Sequence, residues 1–337
     1  RSVRARRSVR THFGAGEREA PGRVCLVRRG SRIMAQTSPA DLLSLLQLEE
    51  RLHSGDLDAA LKALDARRRK VFWQDMPERI VLVRHGESEG NVDHTLYTNR
   101  GDSKLELTPK GMEQAKEAGA RLSTLLGESR LFVVVSPFER AQQTLLGIYQ
   151  GGPTLRENIV MVHHDPRIRE QEFGNFQSLG LTALVRAEEE RVGRFYYRRP
   201  HGESSADVYD RVSAFWYSLL EPGPASLLQN CQARPDAVLM VTHGLTIRLL
   251  LMAIFNWSVS TFESVFNLGN CHHVTLRKNA EGCCYDLCVE ESFPPHLPWA
   301  TKRVWVRLRS LHPSERLTHK IERLKETRDS PRVHESR

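Results

Sequence analysis

The chain has 337 residues, of which 40% are apolar and 27% charged, and this composition suffices for a full hydrophobic core. No apolar run approaches the ~20 residues of a membrane span, so we expect no stable membrane insertion. Six cysteines without a secretory segment predict a reducing compartment and a cytoplasmic location. The net charge of +8 arises at the ends, in residues 1–33 and 300–337, and no nucleic-acid partner is expected.

Residues 1–33 hold ten arginines and two acidic residues, and they admit two interpretations. Their composition suits an organellar transit peptide, in which case the protein would be located in an organelle and not in the cytoplasm. The first methionine is Met34, and translation of an upstream region with initiation at Met34 explains the segment equally well. In either case we expect residues 1–33 to be disordered.

Residues 34–75 predict a helical hairpin appended to the main domain. Ser38 and Pro39 have the character of an N-cap and a first helical residue. Two short apolar helices follow, over residues 42–52 and 57–64.

The apolar run over residues 80–83 predicts a strand that is buried on both faces. It ends at Arg84 and His85, and Gly86 then permits a tight turn. In open α/β sheets, groups at the carboxyl ends of such strands lie where ligands bind. The sequence therefore predicts an anion site at this strand end.

Two further runs have the same construction. Residues 131–135 lead into a helix that carries Arg140, and residues 237–242 end at His243. Strands ending at one sheet edge would bring these side chains to Arg84 and His85. We expect a three-layer α/β/α sandwich over residues 76–295, with a mostly parallel central sheet and a small helical cap near residues 175–200.

Possible metal ligands occur near the sheet edge. Residues 271–273 and 283–288 contain cysteines and histidines, but they lack paired Cys-x2-Cys spacing and predict neighbouring strands rather than a zinc site. His163 and His164 follow the predicted strand 159–162, which favours a surface turn over a ligand pair. We expect no metal and no cofactor.

Four segments in a fixed order carry a family resemblance. The chain is similar over about residues 78–290 to the histidine phosphatase superfamily, the phosphoglycerate mutase-like branch 1 group, in four motifs: 84–91, 136–144, 168–174 and 243–244. Linking phrases resemble most a plant and fungal group of phosphoglycerate mutase-like proteins and broad-range acid phosphatases, and these phrases are 170–177, 195–198, 202–211 and 270–271.

The residues suit phosphoryl transfer, which needs positive charge around the phosphate and an in-line nucleophile. His85 is the candidate nucleophile and must attack as a neutral imidazole. Arg84 and Arg140 offer forked donors for phosphate oxygens. Asn91 would add a neutral donor, and His243 a further one, preferably protonated.

The resemblance favours Glu170 as the general acid, which would later activate water as a base. Glu172 lies two residues on, and in an extended segment it would point the same way. The alternative for either carboxylate is an exposed loop position paired with Arg167 or Arg169.

The same resemblance bears on the choice between hydrolysis and mutase activity. Residues 198–200 match the Arg-Arg-Pro segment of mutases, but they run into 202–204, which resembles an element of the phosphatases. His201 replaces a glycine of that element, at a backbone position that can disfavour histidine. The tryptophan that mutases have before Asn91 is Gly90 here. A phosphomonoester hydrolase of small substrates is expected, with a mutase or a silent phospholigand-binding protein as alternatives.

Residues 296–337 form a basic tail. Leu317, Ile321 and Leu324 share one face of a predicted terminal helix. A solvated, partly frayed helix is expected, and contact with an acidic membrane or a partner is the alternative. The sequence does not indicate the physiological substrate or the oligomeric state.

Overall fold

The computed structural model describes residues 57–174, 179–220, 226–231, 233–279, 284–288 and 290–292. The arginine-rich start, the first helix of the predicted hairpin and the basic tail lie outside the described residues. The chain divides into two compact units, residues 1–68 and 69–337.

The first described helix, α1, spans Leu57–Gln74 and is ten residues longer than the helix predicted over 57–64. The stretch contains no glycine or proline and is rich in alanine, leucine, lysine and arginine, which are strong helix formers. Lys62 and Asp58, four residues apart, form an ion pair of 2.6 Å. The helix ends shortly before Pro77, because the residue before a proline disfavours helical angles.

Six strands form one sheet in the order β3-β2-β4-β1-β5-β6. Neighbours among β3, β2, β4 and β1 run parallel, whereas β5 is antiparallel to β1 and to β6. The mostly parallel sheet of the prediction is confirmed. The strands are β1 Arg79–Arg84, β2 Leu131–Val135, β3 Ile159–His164, β4 Ala237–Thr242, β5 His273–Asn279 and β6 Cys284–Cys288.

Helices connect these strands. They are α2 Glu89–Val92, α3 Pro109–Leu126, α4 Glu139–Gly151, α5 Pro153–Glu157, α6 Leu179–Val192, α7 Ser205–Leu220, α8 Gly244–Phe255 and α9 Val259–Ser264. Three short 3₁₀ helices lie in the loops at His94–Thr98, Asp102–Lys104 and Pro166–Ile168. α6 falls in the segment predicted as a cap, and its role as a cap stays a prediction.

The sheet lies between two helical layers, because successive side chains of a strand point to opposite faces. Val81 and Val83 pack into a buried cluster with α3, α4 and α5. Ile80 and Leu82 pack on the other face with α7 and α8. Each such aliphatic side chain stabilises the fold by about 1.5–3 kcal/mol when fully buried. The predicted three-layer α/β/α sandwich is confirmed, and it gives the strand ends a rigid base.

Two local predictions can be compared with the structure. The neighbouring strands predicted around residues 271–288 are present as the antiparallel pair β5 and β6. The surface turn predicted at His163 and His164 is wrong, since both residues complete β3 and pair with Val134 and Val135. No helix in the described part of the chain is long and apolar enough to cross a membrane.

Candidate active site

His85 lies directly beyond the end of β1 and is 3% exposed. Its Nδ1 is 2.7 Å from the carbonyl oxygen of Gly86, so Nδ1 carries the proton and Nε2 keeps its lone pair. Burial, and then the charges of Arg140 and Arg84, lower the pKa of His85 well below its usual value. The imidazole is therefore neutral and presents Nε2 as a nucleophile.

Gly86 makes the turn after His85 possible. A Cβ at this position would lie 2.5 Å from the carbonyl oxygen of Gly111 in α3, so only glycine fits. The Gly86 backbone N–H donates to Oγ1 of Thr144 at 2.9 Å, and that hydroxyl donates to the carbonyl of Arg140. The turn that carries His85 is thus tied to the helix that carries Arg140.

Arg140 lies in the first turn of α4 with 2% of its surface exposed. Its Nε donates to Nε2 of His85 at 3.3 Å. Its Nη1 donates to the carbonyl oxygen of Asp102 at 2.7 Å and to the carboxylate of the same residue at 2.8 Å. The ion pair with Asp102 compensates the burial of this guanidinium and fixes it beside the nucleophile.

His243 follows β4 and is fully buried. Its ring centroid is 5.2 Å from that of His85, and its Nε2 is 2.8 Å from Oγ of Ser136, the residue after β2. Burial first, and then Arg140, lower its pKa well below the usual value, which opposes the protonated form expected from the sequence. Neutral His243 can still donate from Nδ1, which has no hydrogen-bond partner among the described residues.

Glu170 follows the 3₁₀ helix Pro166–Ile168 that comes after β3. Burial raises its pKa, while the charge of Arg140 and a 3.0 Å hydrogen bond from the Gln171 N–H oppose that rise. The electric field of Arg84 and Asp102 also reaches Glu170. Glu170 therefore lies among the site residues. The backbone N–H of Glu172 donates to the Glu203 carboxylate at 2.9 Å.

Arg211, in α7, holds the Glu170 segment in place. It donates to the carbonyl oxygens of Arg167, Arg169 and Glu170, at 2.6, 2.9 and 3.0 Å. It also forms two hydrogen bonds of 3.0 Å with the carboxylate of Glu203. The general-acid candidate thus has a fixed backbone.

Arg84 and Asn91 complete the predicted set. Arg84 donates from Nη1 to the carbonyl of Leu268, and its buried Nε has no partner in the described part of the chain. The Asn91 Oδ1 accepts from Ser88 N and from Asn270 Nδ2, each at 3.1 Å, which leaves the Asn91 amide nitrogen as a donor. The orphan donors of Arg84 and His243 suit an anion with several oxygens.

Sequence reasoning missed several residues of this site. Asp102, Ser136 and Arg211 contact the predicted residues across 38, 107 and 41 positions of the chain. Asp102 gave no signal of its own, whereas Ser136 and Arg211 lay inside segments that carried the resemblance. No cluster of three or more histidine, cysteine or acidic side chains suited to a metal ion occurs within the described ranges.

Comparison with known proteins places this arrangement in a family. Residues 80–289 match the histidine phosphatase superfamily (branch 1), and the chain belongs to that family.

Two of the similar proteins fall in the plant and fungal group predicted from the sequence. Phosphoglycerate mutase-like protein AT74 of Arabidopsis thaliana is 41% identical over 230 residues, which cover 66% of this chain and 72% of the relative. Broad-range acid phosphatase DET1 of Saccharomyces cerevisiae is 28% identical over 287 residues, which cover 59% and 85%. A solved mycobacterial glucosyl-3-phosphoglycerate phosphatase with inorganic phosphate aligns with a TM-score of 0.47, 24% identity and coverage of 63% and 95%.

Proposed function

We propose that the chain hydrolyses phosphomonoesters through a phosphohistidine on His85, without a metal or a cofactor. The observation that carries this proposal is the tautomer of His85. Its Nδ1–H is bound to the Gly86 carbonyl at 2.7 Å, so Nε2 carries the lone pair, which accepts from Arg140 Nε at 3.3 Å and attacks once the bound phosphate takes over that donor. Arg84, Arg140, Asn91 and His243 would bind the phosphoryl oxygens.

In the first step the lone pair of His85 Nε2 forms a bond to phosphorus, and the bond from phosphorus to the ester oxygen breaks. Glu170, whose pKa is raised by burial, acts in its protonated form and gives its proton to the leaving alkoxide. Arg84 and Arg140 stabilise the charge on the equatorial oxygens of the transition state. The alcohol leaves, and the phosphoryl group remains on Nε2.

In the second step Glu170 is a carboxylate and takes a proton from water, whose oxygen forms a bond to phosphorus. The bond from phosphorus to Nε2 breaks, and its electron pair returns to His85. Inorganic phosphate leaves, and both His85 and Glu170 regain their starting protonation states.

The arginines of the mutase-like segment favour hydrolysis over transfer to phosphoglycerate. A mutase must hold the carboxylate of its substrate with additional cations. Here Arg198 pairs with Asp207, and Arg199 pairs with Glu189 at 3.1 Å. Neither guanidinium is left without a carboxylate of the chain itself, and this pairing supports the phosphatase.

The proposal is tested with p-nitrophenyl phosphate between pH 4 and 8 in the presence of EDTA. We expect phosphate release by the wild-type protein, no release by His85→Ala, and normal release by the control His164→Ala at the exposed end of β3. A labelled phosphoenzyme that survives alkali and decays in acid should form only when His85 is present.

Other outcomes would redirect the assignment. EDTA-resistant release that persists in His85→Ala contradicts the phosphohistidine. A folded wild-type protein that releases no phosphate, but shows primer-dependent phosphoglycerate mutase activity, establishes the mutase instead. Binding of phosphate esters without either activity identifies a silent phospholigand module.

A further inference from the structure

Tyr97 lies beside the site and has no part in the reaction described above. It belongs to the 3₁₀ helix His94–Thr98, which is capped by Asp93 through a 2.8 Å hydrogen bond from Thr95 N. Its ring is half-buried and stacks on the exposed ring of His94, with 6.3 Å between the centroids. The ring therefore leads from the interior towards solvent.

Gly90 provides the space for this ring. A Cβ at position 90 would lie 2.5 Å from the Tyr97 hydroxyl oxygen and 2.7 Å from Cζ, a distance at which one of the groups must move. Gly90 directly precedes Asn91, one of the proposed phosphate ligands. Because Gly90 has no side chain, the Tyr97 hydroxyl can approach its backbone closely. This contact places the hydroxyl next to the phosphate site.

The charges of the site act on Tyr97. Burial first, and then Asp102 and Glu170, raise its pKa to about 12, while Arg140 and Arg84 oppose this rise. A phenol with that pKa stays protonated between pH 4 and 8 and can donate a hydrogen bond. No hydrogen bond joins its hydroxyl to another residue within the part of the chain that the structure describes.

We propose that Tyr97 contacts the substrate, and that its hydroxyl binds the alcohol part of phosphomonoesters that carry a hydroxyl group beside the ester. This inference rests on the proposed function. In the proposed reaction Arg84, Arg140, Asn91 and His243 bind the phosphoryl oxygens, and Glu170 protonates the ester oxygen. The alcohol must extend from the phosphoryl group towards solvent, and Tyr97 is half-buried beside Gly90 and close enough to Glu170 for the charge of Glu170 to act on its pKa.

Two esters with similar alkyl leaving groups test the proposal: glycerol 3-phosphate, which has a hydroxyl beside the ester carbon, and n-propyl phosphate, which has none. We expect the wild-type protein to favour glycerol 3-phosphate by about tenfold in kcat/KM, the effect of one hydrogen bond. Tyr97→Phe should remove this preference by lowering the glycerol 3-phosphate value, with less than a threefold change for n-propyl phosphate. Tyr217→Phe, which removes an exposed hydroxyl in α7, is the matched control.

Gly90→Ala provides an independent perturbation of the same contact. Its methyl group should displace the Tyr97 ring and reduce the preference as Tyr97→Phe does. In a Tyr97→Ala background the methyl group no longer meets the tyrosine ring, and Gly90→Ala should cause no further loss of the preference. Leu105 also lies 2.7 Å from the added methyl, so thermal unfolding of each variant must show that the protein is folded.

Several results would overturn the proposal. Equal kcat/KM values for the two esters in the wild-type protein would do so, as would an unchanged preference in Tyr97→Phe. An equal loss on both esters, with weaker binding of inorganic phosphate, would assign Tyr97 to the phosphoryl group instead.

The proposed function can fail separately. In that case the wild-type protein releases phosphate from neither alkyl ester nor from p-nitrophenyl phosphate. Calorimetric binding of the two alkyl esters to His85→Ala then tests Tyr97 without turnover, since the same tenfold preference is expected in the dissociation constants. Equal dissociation constants would contradict the assignment of Tyr97.

Discussion

Replacing Arg211 by methionine should separate phosphate binding from acid catalysis. Methionine keeps an unbranched, largely apolar side chain but removes the guanidinium. Five hydrogen bonds are lost with it, three to the carbonyl oxygens of Arg167, Arg169 and Glu170 and two to Glu203. The residues that hold the phosphoryl group stand on other elements and do not bind Arg211.

The magnitude follows from burial and from the remaining partners of Glu203. Breaking a buried ion pair costs about 3–5 kcal/mol when one charge is left alone. In Arg211→Met, Glu203 still accepts from Arg169 at 2.6 Å and from the Glu172 N–H at 2.9 Å. We therefore expect the free energy of unfolding to fall by about 3 kcal/mol, the lower end of this range. A displacement of Glu170 by ~1 Å should reduce the rate on alkyl esters by about 10²-fold.

Urea unfolding measures the stability, and kinetics on two esters measure the position of the acid. The p-nitrophenolate group leaves without a full proton, so its release should fall less than tenfold, whereas alkyl phosphate hydrolysis should fall about 100-fold. Inhibition by vanadate should change by less than threefold, because the phosphoryl site is intact.

Arg130→Met is the matched control. Arg130 also forms a forked pair, with Asp236 at 2.9 and 2.8 Å, but both side chains are more than 40% exposed. Loss of this exposed ion pair should lower the free energy of unfolding by less than about 1 kcal/mol. Arg211 does not position Glu170 if Arg211→Met lowers the free energy of unfolding no more than Arg130→Met does, or if it slows the hydrolysis of both esters equally.

Further predictions concern the acid, the pH dependence and one strained turn. Glu170→Gln should lower kcat on alkyl esters by about 10²–10⁴-fold, and Glu172→Gln by less than threefold; the reverse order would exchange their roles. Activity should fall as the pH drops through the lowered pKa of His85 and as it rises through the raised pKa of Glu170. Glu170→Gln should remove only the alkaline limb of the pH profile, and an unchanged limb would rule Glu170 out. His201 has a φ of +59°, a backbone conformation that costs histidine more than glycine. His201→Gly should therefore raise the free energy of unfolding, measured with urea, by about 1 kcal/mol. An equal gain in His201→Ala would contradict this explanation.

The buried strands could be predicted because each is a continuous apolar run with polar or glycine residues at its end. β2 and β4 are buried at every residue, and the chemistry-bearing side chains follow directly after β1 and β4. The unfavourable backbone conformation of His201 could also be predicted from the sequence, since histidine occupies a position where the related phosphatases have glycine. Its positive φ is the backbone conformation that glycine tolerates best.

Contacts that depend on tertiary packing could not be predicted. Asp102 binds Arg140 across 38 residues, and nothing in the local sequence distinguishes it from a surface aspartate. The length of α1 was underestimated because its second half lacks apolar periodicity, although its residues favour helix. The lowered pKa of His243 could not be predicted, because it depends on the burial of the ring and on its position beside Arg140.

The nucleophile and the general acid of the proposed reaction derive their properties from one physical cause. Burial disfavours charge, so it lowers the pKa of His85 and raises that of Glu170. A neutral imidazole and a protonated carboxyl are the two forms that the first step consumes. Arg140 lowers the pKa of both groups, so its charge favours a neutral His85 and opposes a protonated Glu170. Asp102, the partner of Arg140, raises the pKa of Glu170, so Asp102→Asn should lower that pKa. The ion pair with Asp102 thus links the charge that binds phosphate to the protonation of both the nucleophile and the acid.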